Sequence, residues 1–216
     1  SYEYTLTIKG DGSLTASSNY SGDFCAAGIG AGYNHACGNI LIESGTIVAE
    51  SVYHGAGIGG ATYASCRTIT ITGGTVTATG GQYGAGIGSA TTSNPSEFCV
   101  AITITGGTVT ANGGENGAGI GSGYQGKCQS ISITGGTVIA TGGSKATGIG
   151  SGNYGTCADI TITNGVTQVT AIKGSSATNS IGAGYNGTCG TVTIGGTVYY
   201  DSSTKTWAEG CEDKLK

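Results

Sequence analysis

Arg67–Ala90 reads RTITITGGTVTATGGQYGAGIGSA. Ile69 and Ile71 alternate with Thr68, Thr70 and Thr72, and Val76 and Ala78 alternate with Thr75, Thr77 and Thr79. Strict alternation over about five residues is the pattern of a half-buried strand. Gly84–Gly88 repeats it with Ala85 and Ile87, so three short strands are expected. Gly73-Gly74 and Gly80-Gly81 read as corners, where glycine reaches positive φ at little cost.

The same unit recurs on both sides. Cys37, Cys66, Cys99, Cys128, Cys157 and Cys189 follow one another at intervals of 29, 33, 29, 29 and 32 residues. The third residue after each is β-branched and apolar: Ile40, Ile69, Ile102, Ile131, Ile160 and Val192. Eight residues before the cysteine stands Ile29, Ile58, Ile120, Ile149 or Ile181. In the remaining unit Ile87 lies twelve before Cys99, and the extra residues fall around Ser93-Asn94-Pro95-Ser96, a surface loop by composition. A partial first copy contains Leu6, Ile8, Leu14 and Ala16.

A unit of this length cannot bury its apolar face alone, but stacked copies can. The expected fold is an all-β, right-handed parallel β-helix (solenoid) of about seven three-strand coils, roughly 29–33 residues per coil. At about 4.7–4.9 Å per coil the rod would be roughly 30–35 Å long. A glycine-rich β-sandwich is the competing fold, and the regular period argues against it. Residues 1–200 are expected to form the repeat domain and 201–216 a charged cap. Seven charged residues lie between Asp201 and Lys216, against four between Thr68 and Ala158, and Trp207 is expected to cover the last coil.

Composition narrows the function. Glycine supplies 45 of 216 residues, yet it is interleaved with β-branched residues, which excludes simple disorder. The net charge of −4 is thinly spread, with no basic stripe for nucleic acid and no apolar run for membrane insertion. The lack of Met, and of a charged-then-apolar leader before Ser1, suggests a processed chain.

An enzyme is not expected. Polysaccharide-cleaving β-helices need clustered carboxylates or a carboxylate with a base. Here Glu43, Glu50, Glu97, Glu115 and Asp159 are scattered, Arg67 is the lone arginine, and His35 and His54 read as solvated loop residues. No cofactor and no metal is expected, because a stack of sulfurs is not a tetrahedron and no D-x-D loop occurs. The six in-register cysteines read chiefly as a ladder of small buried thiols, with disulfides between adjacent coils also within reach. Cys25 and Cys211 lie near opposite ends and are not expected to pair.

Two outer surfaces remain. The first is a threonine face: Thr70, Thr72, Thr75, Thr77, Thr79, Thr103, Thr105, Thr108, Thr110, Thr134 and Thr137. Such a lattice resembles the flat faces of β-solenoid ice-binding proteins, although exposed threonine is also an ordinary strand residue, and Leu41, Glu43, Val48, Glu50 and Ile139 interrupt it. The second is a tyrosine ridge of Tyr33, Tyr63, Tyr124, Tyr154 and Tyr185, each three or four residues before a coil cysteine, beside Asn34, Gln125, Asn153 and Asn186. Aromatic faces beside amides suit sugar rings, though tyrosines also serve as corner spacers.

The strings GGTVTATGG, GAGIGSG and SIGAGYNGTCGTVTIGGTVYY resemble a Gly/Thr-rich repeat of secreted or surface-exposed proteins of gut-type anaerobic bacteria, from about Thr5 to Tyr200. The resemblance implies an extracellular or cell-surface, non-catalytic module. The expected partner is a glycan or cell surface, with ice binding or a structural spacer as alternatives. The expected assembly is a monomer or end-to-end oligomer.

Overall fold

The structure, a computed structural model, describes residues 4–19, 25–64, 66–91 and 101–207. Each turn contributes one strand to each of three parallel sheets, as expected of a β-solenoid of about six turns. No helix occurs among the described residues. In the turn that begins at Arg67 the strands are Thr68–Ile71, Thr75–Thr79 and Ile87–Gly88.

Successive copies pair in register. Leu6, Ile40, Ile69, Ile102, Ile131, Ile160 and Val192 form one inward ladder of the first sheet. Ile47, Val76, Val109, Val138 and Val169 form one of the second, and Ile29, Ile58, Ile87, Ile120, Ile149 and Ile181 that of the third. The mid-rod members are fully buried. Each such side chain contributes about 1.5–3 kcal/mol before the entropy of ordering it. The first coil has no neighbour on one side, so Leu6 and Leu14 remain exposed.

The third side departs from the expected five-residue strand. The N–H of Ala85 closes on the carbonyl of Ser89 (3.0 Å), arching the chain so that only Ile87 and Gly88 join the ladder. Gly88 and Gly121 lie at φ +137° and +136°, and a Cβ on either would strike the carbonyl of the glycine stacked next to it. Side-chain-free backbone is what lets the coils close up here.

The two corners also differ. Gly74 has φ +84°, as expected at the first corner. Gly80 and Gly81 do not adopt positive φ. A Cβ on Gly81 would instead meet the Tyr53 backbone, so space rather than torsion selects glycine there.

The parallel winding ends at Val192–Ile194. Gly195 and Gly196 (φ +60° and +82°) reverse the chain into Thr197–Asp201, which returns antiparallel along the first sheet. Thr206–Trp207 adds one more antiparallel strand, and the Trp207 side chain lies outside what the structure describes.

Candidate binding edge

The tyrosines of the ridge lie on a four-residue turn that recurs once per coil. Its first carbonyl accepts the fourth N–H: His35 to Gly32, Ala64 to Ala61, Gly126 to Gly123, Gly155 to Gly152 and Gly187 to Gly184, at 3.0–3.2 Å. The third residue is left-handed in all five, with Asn34, Tyr63, Gln125, Tyr154 and Asn186 at φ 51–54°. Positive φ at the third position is where a turn favours glycine or asparagine, and a bulky residue there is strained. The turn is anchored from below: buried Ser89, Ser122 and Ser151 accept the N–H of Gly123, Gly152 and Gly184 with their hydroxyls, at 2.9–3.3 Å.

Tyrosine occupies the second turn position at Tyr33, Tyr124 and Tyr185, and the third at Tyr63 and Tyr154. The offset lets rings of neighbouring coils meet edge to face instead of stacking one coil spacing apart. Tyr33 and Tyr63 have centroids 5.8 Å apart with planes at 78°, and Tyr124 and Tyr154 are at 6.2 Å and 85°. Such pairs add about 0.5–1.5 kcal/mol beyond area burial. Tyr185 lies off the row, exposed and in no ring contact among the described residues. In its place the structure adds residues that periodicity did not reveal, because they belong to the other corner. Tyr83 meets Tyr124 at 5.5 Å and Tyr53 at 5.7 Å, and His54 stacks on Tyr83 at 4.7 Å.

A cleft of about 300 Å³ opens among Tyr33, His54, Thr62, Tyr63 and Thr91. The His54 Nδ1 lies 3.5 Å from the Thr91 hydroxyl. The Thr62 hydroxyl oxygen is buried without a hydrogen-bond partner among the described residues. A buried hydroxyl left unpaired costs roughly 1–3 kcal/mol, an incentive to bind a polar group.

Five segments, residues 6–33, 40–62, 69–91, 102–124 and 131–153, match the family model of the beta helix repeat. They cover more than half of the chain. The chain belongs to the beta helix repeat family. No curated protein and no solved structure matches it. The last four matched β-helix segments end at or just before the ridge turn's third position, so Tyr63 and Tyr154 lie outside them.

The β-helix places the threonines in two rows on the first sheet and two on the second. Thr70, Thr103, Ser132, Thr161 and Thr193 form an unbroken hydroxyl row, with Thr72, Thr105 and Thr134 one step along each strand. Thr72 is tied down by its own backbone, its hydroxyl donating to the Ile42 carbonyl at 3.4 Å. On the second sheet Thr75, Thr108 and Thr137 align, and Thr77 and Thr110 run between Val48 and Ile139. Thr79 stacks on Asn112.

The described carboxylates serve structure. Glu115 accepts from Gln82 (3.2 Å) and pairs with Lys145 (3.2 Å) one coil on, and these two, Gln82 first, hold its carboxyl below the usual range. Asp159 accepts the Thr191 N–H at 2.8 Å. A general acid needs a shift in the opposite direction to that of Glu115.

The cysteine slot is partly oxidised, which corrects the expectation of a thiol ladder. Cys37 and Cys66 form a disulfide between adjacent coils, with Cα atoms 4.8 Å apart. Cys128, Cys157 and Cys189 pair in register without bonds between them, and burial keeps Cys157 and Cys189 as thiols. Cys99 and Cys211 lie outside the described residues.

Proposed function

We propose that this β-helix is a non-catalytic module, secreted or displayed on a cell surface, that binds glycan along its tyrosine edge. The observation that carries the reading is Tyr63 and Tyr154 at φ 54°, where other coils place Asn34, Gln125 and Asn186. Both rings are well exposed, at 39 % and 52 %. A strained backbone bearing an exposed aromatic marks a position shaped for contact rather than stability. The cleft beside Tyr63 accommodates a single sugar ring, with Tyr33 and Tyr63 offering ring faces and Thr62, Thr91 and His54 polar groups. The disulfide accords with an oxidising compartment.

A glycan-array screen followed by titration calorimetry tests this. Tyr63→Ala and Tyr154→Ala together should weaken the best ligand at least tenfold while the melting temperature changes little. No hit on a broad array at high protein concentration would sink the proposal and favour a spacer.

The unbroken Thr70–Thr193 hydroxyl row favours one second reading, ice binding on the first sheet. Replacing Thr103 with Tyr should then abolish inhibition of ice recrystallisation. A wild-type protein inactive at micromolar concentration removes that reading.

A further inference from the structure

We propose that Cys157 and Cys189 are the two ends of a second inter-coil disulfide, which staples the last full turn to the one before it. Three observations support the bond. Cys157 and Cys189 are direct partners in the parallel ladder, as are the coils joined by Cys37 and Cys66. Parallel neighbours lie about 4.8 Å apart, inside the range a disulfide spans, and the Cys37–Cys66 bond closes at that Cα separation. The ladder also constrains the choice of partner. In a line of six positions where only neighbours can bond, one complete pairing exists, and its first member is Cys37–Cys66. By sequence Cys99 stands between Cys66 and Cys128, so Cys128 has a partner on that side and Cys157 is left for Cys189. A Cys128–Cys157 bond would strand both Cys99 and Cys189.

The cleft of about 360 Å³ at this end, lined by Asn179, Thr188, Cys189, Tyr200 and Lys205, gives reagents access to Cys189, whereas Cys157 is buried. The chemistry is therefore ordered. The Cys189 thiolate attacks one sulfur of a small disulfide such as oxidised glutathione and releases one glutathione thiolate. The Cys157 thiolate then attacks the Cys189 sulfur of the mixed disulfide and releases the second. Two protein thiols are oxidised, one glutathione disulfide is reduced, and both thiol protons pass to solvent or to the leaving thiolates. Burial, and then Asp159, raise the Cys189 thiol to about 11, so exchange at neutral pH is slow and the closed bond is protected from reversal.

The full chain is refolded from denaturant in a glutathione redox buffer, remaining thiols are alkylated at low pH, and the protein is digested with trypsin without reduction. Cleavage after Lys127, Lys145, Lys173 and Lys205 puts Cys128, Cys157 and Cys189 in separate peptides: 128–145, 146–173 and 174–205. The expected product is 146–173 linked to 174–205, retained in Cys128→Ser and lost in Cys189→Ser. Linkage of 146–173 to 128–145, or both peptides recovered alkylated, overturns the proposal. Neither outcome bears on whether the tyrosine edge binds glycan.

Discussion

Two corners of the same sheet show how one residue decides whether the solenoid continues. At Ile71-Thr72-Gly73-Gly74-Thr75 three residues separate the strands, and the Thr72 and Thr75 N–H groups donate to Ile42 and Gly45 of the preceding coil. The chain leaves the first sheet and enters the second. At Ile194-Gly195-Gly196-Thr197 the threonine is missing. Two residues remain, both at positive φ, the requirement of a tight hairpin turn whose twist suits antiparallel strands. The chain folds back on the sheet it came from, and Thr197–Asp201 lies along Val192–Ile194. Threonine at the corner is thus a spacer first, and a candidate ice-contacting group second.

The comparison can be broken at the stack. Gly121→Ala adds a Cβ against the Gly150 carbonyl at φ +136°, whereas Gly196→Ala, at the terminal corner, meets nothing within 4 Å. The expected losses in urea unfolding are at least about 3 kcal/mol for the first and about 1 kcal/mol for the second. Equal losses would mean that torsion alone, not coil contact, selects glycine.

Inserting one threonine between Ile194 and Gly195 should convert the terminal corner to the central kind. Thr197 and Val198 would then extend the second sheet beyond Gln168–Ile172, and the hairpin would be lost at a cost of about 2 kcal/mol in ladder hydrogen bonds. Hydrogen exchange at residues 192–201 reads this, and size-exclusion chromatography reads self-association through the newly bare edge. Unchanged protection would show that the turn length is not what ends the winding.

The cysteine slots of the two regions differ in pH response. In reduced protein the Cys189 thiol lies near 11, raised by burial, and Cys157 is raised by its hydrogen bond to Cys128 and by burial. A raised thiol adds stability that is complete below its unfolded value of about 8.5 and is lost as pH climbs through the folded one. The melting temperature of reduced protein should therefore fall between pH 8.5 and 11. Protein oxidised at this pair should show a flatter profile.

The smallest expected effect is a gain. Tyr154→Asn places at φ 54° the residue type found at Asn34 and Asn186, and should stabilise the fold by about 0.5–1 kcal/mol while weakening glycan binding. A loss of stability would show that the ring is a packing spacer.

Much of the fold was legible because side-chain alternation and coil period are one-dimensional signals. Ile69, Val76 and Ile87 could be assigned to the interior from spacing alone, since each must face its copies. The third strand was overestimated because Gly84–Gly88 alternates like a strand while its backbone arches. The tyrosine edge was half legible. Position relative to cysteine located Tyr33, Tyr63, Tyr124 and Tyr154, but Tyr53, His54 and Tyr83 come from a different corner and approach only because the coil closes.

The sequence by itself determined the period, the parallel stacking and the inward ladders, because burial of β-branched side chains at fixed spacing admits few other arrangements. The three-dimensional structure alone decided where the chain reverses, which cysteines bond, and which tyrosines stand on left-handed backbone. Those features depend on φ values and on distances between coils, and the same letters Gly-Gly-Thr-Val serve a crossover in one place and a hairpin in another.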